Sequence, residues 1–422
     1  MRVCLVVAGA FLALASTASA QALVQIAAAQ PENCLDYTGT DAQQWKTACS
    51  IAIESGRLES RELALARLNR GAAYIAMGDT SRAAIDYAEA VRLTEVAMDP
   101  ARPDAATFFR RGMALHALGQ IDRAQRDYDE ALRLEPDNVL AIINRGIILS
   151  TRKGDYRAAI ADFDKALQLR PEAVGALIYR GEAYAKLGQF GPSLADLDRA
   201  IELAPGNAEA RVFRGLTHAR RGNPRLASAD YAAALEIDPR NVDALVNRAA
   251  IHATRGEYAP AVAALNTAIE LRPDNTLAWY NRGYVRFAQK QYEAAIADYS
   301  NALARDPVLV AAYVNRCLAR VLAGQDPRLA VVDCDVALRA MPNNLDARET
   351  RGFIHLKLGD TETALAEYGA SLELDPNRPL ALYGRGLAKI RKGDKAGGEA
   401  DRAAARALHA GIDGEFSRYG LN

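Results

Sequence analysis

An all-α solenoid of antiparallel helix pairs is the fold class this sequence predicts, and three observations carry that prediction. Pro136, Pro171, Pro205, Pro239, Pro273, Pro307, Pro342 and Pro376 recur at steps of 34 or 35 residues. Each interval holds two amphipathic helical stretches, as in Ala278 to Pro307, AWYNRGYVRFAQKQYEAAIADYSNALARDP. The break between the stretches is a glycine in most intervals: Gly78, Gly119, Gly154, Gly188, Gly222, Gly256, Gly324, Gly359 and Gly393. Glycine closes the first helix of a pair because the left-handed conformation costs it nothing, and proline after the second forbids continuation. A fixed period of this length is the signature of stacked repeats, each leaving an apolar face for the next.

Composition agrees. Half of the 422 residues are apolar and a quarter are charged, with 52 basic and 52 acidic side chains. That is too hydrophobic for a disordered chain. Zero formal net charge argues against a nucleic-acid partner, which calls for an excess of Lys and Arg, and against a polybasic membrane-surface protein.

Taken in chain order, residues 1–20 read as a secretory signal peptide. Arg2 supplies the positive start, Val3 to Ala15 is an apolar run, and Ala18-Ser19-Ala20 is a small-x-small site for cleavage after Ala20. The run is too short for a membrane span. Cys4 lies near the start of the signal, away from the cleavage point, so a lipid anchor is not expected. The expectation is an exported protein without membrane insertion, periplasmic in preference to secreted. Residues 21–63 form an N-terminal segment with a capping helix over Gln43 to Gly56. Ten repeats then fill 64–410. The tail 411–422, with Ile412, Phe416 and Tyr419 at helical spacing, caps the last one. Extra residues fall around Asp99 to Pro103, before Gly154, and at Gln325-Asp326-Pro327, all near turns.

Beyond Cys4 the chain has four cysteines, Cys34, Cys49, Cys317 and Cys334, and an even count in an exported chain favours disulfides. Three connectivities are possible. The local one, Cys34 with Cys49 and Cys317 with Cys334, is the simplest, and the alternative is four small buried thiols.

The repeat resembles the tetratricopeptide repeat. In that family's register the small residue at position 8 is Gly71, Gly112, Gly146, Gly181, Gly215, Ala249, Gly283, Cys317, Gly352 and Gly386. At position 20 it is Ala83, Ala124, Ala159, Ser193, Ala227, Ala261, Ala295, Ala330, Ala364 and Gly398. Position 27 is Ala in nine copies and Ser371 in the ninth. Small residues belong there because the helices of a hairpin approach closely and larger side chains would overpack. Cys317 and Cys334 take positions 8 and 24, which face each other across one hairpin. The resemblance implies a right-handed superhelix whose concave face is lined by the first helices, and binding of other proteins as the general role.

One departure from the family pattern is systematic. Position 7, usually apolar, is arginine in every copy: Arg70, Arg111, Arg145, Arg180, Arg214, Arg248, Arg282, Arg316, Arg351 and Arg385. Position 23 is acidic in nine, Asp86, Asp127, Asp162, Asp196, Asp230, Asp298, Asp333, Glu367 and Asp401, whereas the sixth repeat has Ala264. This predicts a ladder of ion pairs, Arg145 with Asp162, Arg180 with Asp196, Arg214 with Asp230 and Arg282 with Asp298 among them, within a repeat or across to its neighbour. Arginine suits the task because its planar fork bonds a carboxylate twice. Arg248 is the expected orphan, where an outside anion would bind first.

The binding-groove candidates lie in repeats six to eight. Asn247, Asn281 and Asn315 share position 6, where the family resemblance implies an asparagine row that bonds a peptide backbone. Tyr280, Tyr284 and Phe287 stand beside it, and Phe353 follows two repeats later, as aromatic anchors. Position 5 carries Val246 and Val314 where a carboxylate clamp needs Lys, so recognition of an acidic C-terminus is not expected. His218, His252 and His355 share position 11 with His116 one place on, but no HExxH, CxxC or carboxylate cluster joins them. No metal site, no cofactor and no enzyme activity are expected. The functional expectation is a protein-binding adaptor or scaffold that takes a protein or extended peptide partner. The alternative is a holdase-like chaperone for unfolded chains. Self-association through exposed repeat ends is a weaker third reading.

Overall fold

The computed structural model describes residues 34, 41–98, 101, 103–417 and 420–421. The expected signal peptide, Asp99 and Pro100 of the insertion, and Tyr419 lie outside these. Among the described residues there are 22 helices and no strand. A leading helix, α1 (Ala42–Glu54), is followed by ten antiparallel pairs. The first five are α2 (Ser60–Ala76) with α3 (Thr80–Ala97), α4 (Ala105–Ala117) with α5 (Ile121–Leu134), α6 (Val139–Thr151) with α7 (Tyr156–Leu169), α8 (Val174–Lys186) with α9 (Phe190–Leu203), and α10 (Ala208–Arg220) with α11 (Pro224–Ile237). The second five are α12 (Val242–Thr254) with α13 (Tyr258–Leu271), α14 (Thr276–Ala288) with α15 (Tyr292–Arg305), α16 (Val310–Leu322) with α17 (Pro327–Ala340), α18 (Leu345–Leu358) with α19 (Thr361–Leu374), and α20 (Pro379–Arg391) with α21 (Lys395–Leu408); a short α22 (Ile412–Ser417) ends the chain.

Local chemistry sets these boundaries. Four first helices start on an asparagine cap: the side chains of Asn138, Asn207, Asn275 and Asn344 accept from the backbone N–H of Ala141, Ala210, Ala278 and Ala347. Five second helices start on an aspartate in the same way, Asp79, Asp155, Asp326, Asp360 and Asp394. Each cap satisfies one of the donors a helix N-terminus leaves unpaired. Between the helices of nine pairs a glycine sits at φ between 66° and 96°. In the seventh pair Lys290 takes that place at φ 64°, and it is the one non-glycine residue with positive φ among the described residues.

Helix contact inside a pair depends on position 8. A Cβ on Gly112 or Gly215 would stand 2.7 and 2.6 Å from the rings of Tyr128 and Tyr231, so only hydrogen fits. Those tyrosines are fully buried.

The chain divides into two compact units between Asn241 and Val242. In the first, Leu68, Tyr87, Met113, Leu115, Tyr128 and Ile148 form one core cluster. Its beginning is closed by Cys34, Trp45 and Cys49 packed on Ala66, Ala72 and Ala73 of α2, and Asn69 Nδ2 donates to the Cys34 carbonyl at 2.8 Å. In the second unit Cys317, Cys334, Phe353, Tyr368 and Tyr383 share a cluster with Ile412 and Phe416 of α22. The tail thus covers the last pair with its apolar side. No described helix is long and apolar enough to cross a membrane.

Candidate functional site

Position 7 of each first helix projects an arginine toward the second helix of its own pair. Arg145 Nε and Nη2 donate to the two carboxylate oxygens of Asp162 at 2.8 and 2.7 Å. Arg180 holds Asp196 at 2.8 and 2.7 Å, and Arg282 holds Asp298 at 3.0 and 2.7 Å. Arg214 does the same to Asp230, its Nε lying 3.0 Å from Oδ2. The remaining nitrogen, Nη1, reaches back to the second helix of the preceding pair: Arg145 to Asp129 at 3.0 Å, Arg180 to Asp164 at 2.7 Å, Arg214 to Asp198 at 2.8 Å and Arg351 to Asp335 at 2.6 Å. Where that place is Asn or Ser the bond persists, Arg282 to Asn266 at 2.7 Å and Arg316 to Ser300 at 2.9 Å. Each of these six arginines therefore links three helices. The guanidinium groups of Arg145, Arg180 and Arg214 are held above their ordinary pKa, first by the hydrogen bond to the acid of their own pair.

The second row of acids was legible in the sequence as Asp-x-Asp in four second helices, Asp127 to Asp129, Asp162 to Asp164, Asp196 to Asp198 and Asp333 to Asp335. Position 11 adds further cations: Arg286 and Arg320 lie 2.9 and 3.2 Å from Asp298 and Asp333, and Lys389 lies 2.9 Å from Asp401. His218 stands 3.9 Å from Asp230 at the same position, its pKa lowered first by burial.

Both close cysteine pairs are bonded, Cys34 to Cys49 with Cα atoms 4.4 Å apart and Cys317 to Cys334 with Cα atoms 5.7 Å apart. These separations are compatible with an oxidising compartment. Among the described residues no group of three His, Cys, Asp or Glu side chains could hold a metal ion. His355 bonds Asp360, and His252 bonds Glu257. His116 is buried, its ring nitrogens unbonded, and burial lowers its pKa to about 4.

The groove candidates of repeats six to eight separate into two sets. Asn247 is buried, and its amide donates to the Asp243 carbonyl one turn earlier in α12 at 2.7 Å. Asn315 Nδ2 donates to the Tyr280 hydroxyl at 3.0 Å. Asn281, 6% exposed, has no side-chain hydrogen bond among the described residues. In place of three free amides the structure has one: Asn247 satisfies its donor on the carbonyl four residues back, Asn315 on the Tyr280 hydroxyl, and Asn281 is unbonded among the described residues though as buried as Asn247.

The rings divide likewise. Tyr280 is buried against Tyr299, ring centroids 5.8 Å apart. Phe353 packs on Phe416 at 5.8 Å within the core. Tyr284 and Phe287 are half-buried, as are Tyr258 on α13 and Tyr292 on α15. Phe287 meets Tyr292 edge-on at 5.5 Å. Burial, with Tyr280 and Tyr258 nearby, pushes the Tyr284 hydroxyl up to about 12, so it is a neutral donor at physiological pH. One face of α14 thus carries partly open aromatic rings beside a free amide.

Sequence reasoning missed two buried acids. Glu182 on α8 has one carboxylate oxygen unbonded and its pKa raised by burial, with Lys186 at 4.0 Å. Glu349 on α18 is raised by burial too, although Arg378 bonds it at 2.6 Å and Ser371 at 3.0 Å.

Three family models match the chain. One described as Tetratricopeptide repeat matches 105–138 and 276–307, a second of the same description matches 151–208, and one described as TPR repeat matches 251–290 and 352–393. Among solved structures, a tetratricopeptide repeat protein from Parabacteroides merdae is 21% identical, covers 62% of this chain and 99% of its own, and has a TM-score of 0.46. YrrB, a TPR protein with an unusual peptide-binding site, is 21% identical over 44% of this chain and 95% of its own, TM-score 0.33. A monomeric mutant of IFIT1 solved with Gppp-AAAA is 15% identical over 92% of this chain and 99% of its own, TM-score 0.51. No curated protein matches the sequence. The hairpins with their small residues at positions 8, 20 and 27, and family models matching stretches of both units, lead to one conclusion: the chain belongs to the tetratricopeptide repeat family.

Proposed function

We propose that this protein is a non-enzymatic adaptor that binds an extended segment of a partner protein along the first helices of repeats six to eight. The observation that supports the reading best is the face of α14, where half-buried Tyr284 and Phe287 stand beside the free amide of Asn281. Rings of this kind give large contact area with few torsions to freeze, and an amide with both donor and acceptor unspent can bond a peptide backbone of any sequence. Tyr280, one turn before Tyr284, packs on Tyr299 and accepts a bond from Asn315. The two disulfides and the N-terminal signal pattern support export to an oxidising compartment such as the periplasm.

The test is affinity capture from an envelope extract, identified by mass spectrometry, comparing the intact protein with an Asn281→Ala, Tyr284→Ala, Phe287→Ala variant of matched helicity. Loss of one or two proteins from the captured set is the expected result. An unchanged set removes the groove reading. N-terminal sequencing of the mature protein is expected to begin at Gln21, and retention of Met1 would remove the export reading.

A further inference from the structure

Nine of the ten position-7 arginines have an acid at position 23 of their own repeat, and Arg248 does not. Ala264 stands where Asp230 and Asp298 stand in the repeats on either side. The residue sixteen places before Arg248, which in four other repeats is the second aspartate, is Ala232. The consequence is visible in the side chain: Arg248 has no ion pair or hydrogen bond among the described residues, and its Nε is buried without an acceptor. Arg351 also has an unbonded Nε, but its Nη1 and Nη2 each hold a carboxylate. At position 11 of this repeat His252 bonds Glu257.

We infer that Arg248 is a binding site for a single carboxylate supplied from outside the fold. Its guanidinium is carried on the same helix position as arginines that bond a carboxylate through Nε and Nη2 at 2.7 to 3.0 Å in repeats three, four and seven. Ala264, with only a methyl group, leaves that carboxylate to be brought by a ligand. A planar two-point acceptor is what the free edge of the guanidinium fits, and a buried N–H without an acceptor favours any ligand that supplies one. The source is either an Asp or Glu side chain of a bound polypeptide or a small free carboxylate. Arg248 follows Asn247 on α12, and the Ala264→Asp variant tests this site while the α14 triple variant tests the groove, so the failure of one reading is told from the failure of the other.

The test uses the full chain with ¹⁵N-labelled arginine and follows the Nε–H resonances, that of Arg248 being the one lost in Arg248→Lys. The probes are sodium acetate against sodium chloride at equal ionic strength, and a short capped peptide containing one Asp against its Asn analogue. Acetate or the Asp peptide is expected to shift the Arg248 resonance, with chloride and the Asn peptide leaving it in place. A peptide response at least about tenfold tighter than acetate assigns the site to a polypeptide side chain, since neighbouring contacts then add to the carboxylate; equal responses assign it to a small carboxylate. In Ala264→Asp the internal acid should close the site, abolish the response and raise the melting temperature. No shift with either probe in the unmodified chain overturns the inference, as does an Ala264→Asp protein that responds like the unmodified one.

Discussion

Cys317 on α16 is bonded to Cys334 on α17 across the positions that Gly283 and Tyr299 occupy in the preceding hairpin. In five other pairs a glycine presses against a ring with no room for a Cβ; here two small side chains replace that contact with a covalent bond. Both sulfurs are fully buried. Replacing the pair with two alanines should destabilise the second unit by about 3 kcal/mol, from the closed loop released and the cavity left. Cys317→Gly with Cys334→Tyr should recover part of that loss by restoring the neighbours' packing. Denaturant unfolding of the three proteins checks this, and equal stability of the alanine pair and the original would contradict it.

Asp298 accepts from Arg282 and Arg286 with a side chain only 2% exposed. Asp298→Ala leaves two arginines beside an apolar helix face and should cost about 3 kcal/mol or more. Asp129 meets Arg145 with 48% of its side chain exposed. Asp129→Ala should therefore cost less than about 0.5 kcal/mol. Similar costs in urea melts would mean that burial does not grade the ladder.

Lys290 holds the left-handed turn that glycine holds in the other nine pairs. Lys290→Gly should stabilise the protein by about 1 kcal/mol, the steric penalty of a side chain at that φ being removed. A lowered melting temperature would show that the lysine side chain contributes more than its backbone costs.

His116 is buried against Tyr128 and titrates at about 4, depressed first by burial and then by Arg152. The unfolded chain protonates this residue near 6.5. Between those values the unfolded state binds the extra proton, so stability is complete above about pH 6.5 and falls as pH drops toward 4, by about 3 kcal/mol in all. His116→Phe should flatten that part of the profile while leaving the acid-induced losses from carboxylates. Parallel curves for the two proteins between pH 7 and 4 would exclude the histidine as their cause.

The helix pairs, their turns and the Arg–Asp ladder were readable because each depends on spacing along the chain. Prolines and glycines mark helix ends locally, and positions 7 and 23 meet in any hairpin of this geometry. The backward link from Arg145 to Asp129 was readable too, in the Asp-x-Asp pattern, once the neighbouring pair is considered. The groove was less so. Asn247 and Asn281 have the same register position, yet one spends its amide on Asp243 and the other spends it on nothing described. Tyr280 and Tyr284 sit one turn apart, yet one is core and the other half-open.

The amino-acid sequence by itself determined the repeat, its register, the hairpin contacts and the unmatched Arg248, because these follow from covalent order and helix periodicity. Only the tertiary structure decided which amides and rings remain available to a partner. That depends on side-chain torsions and on what the next hairpin brings against them, and a repeating pattern states neither.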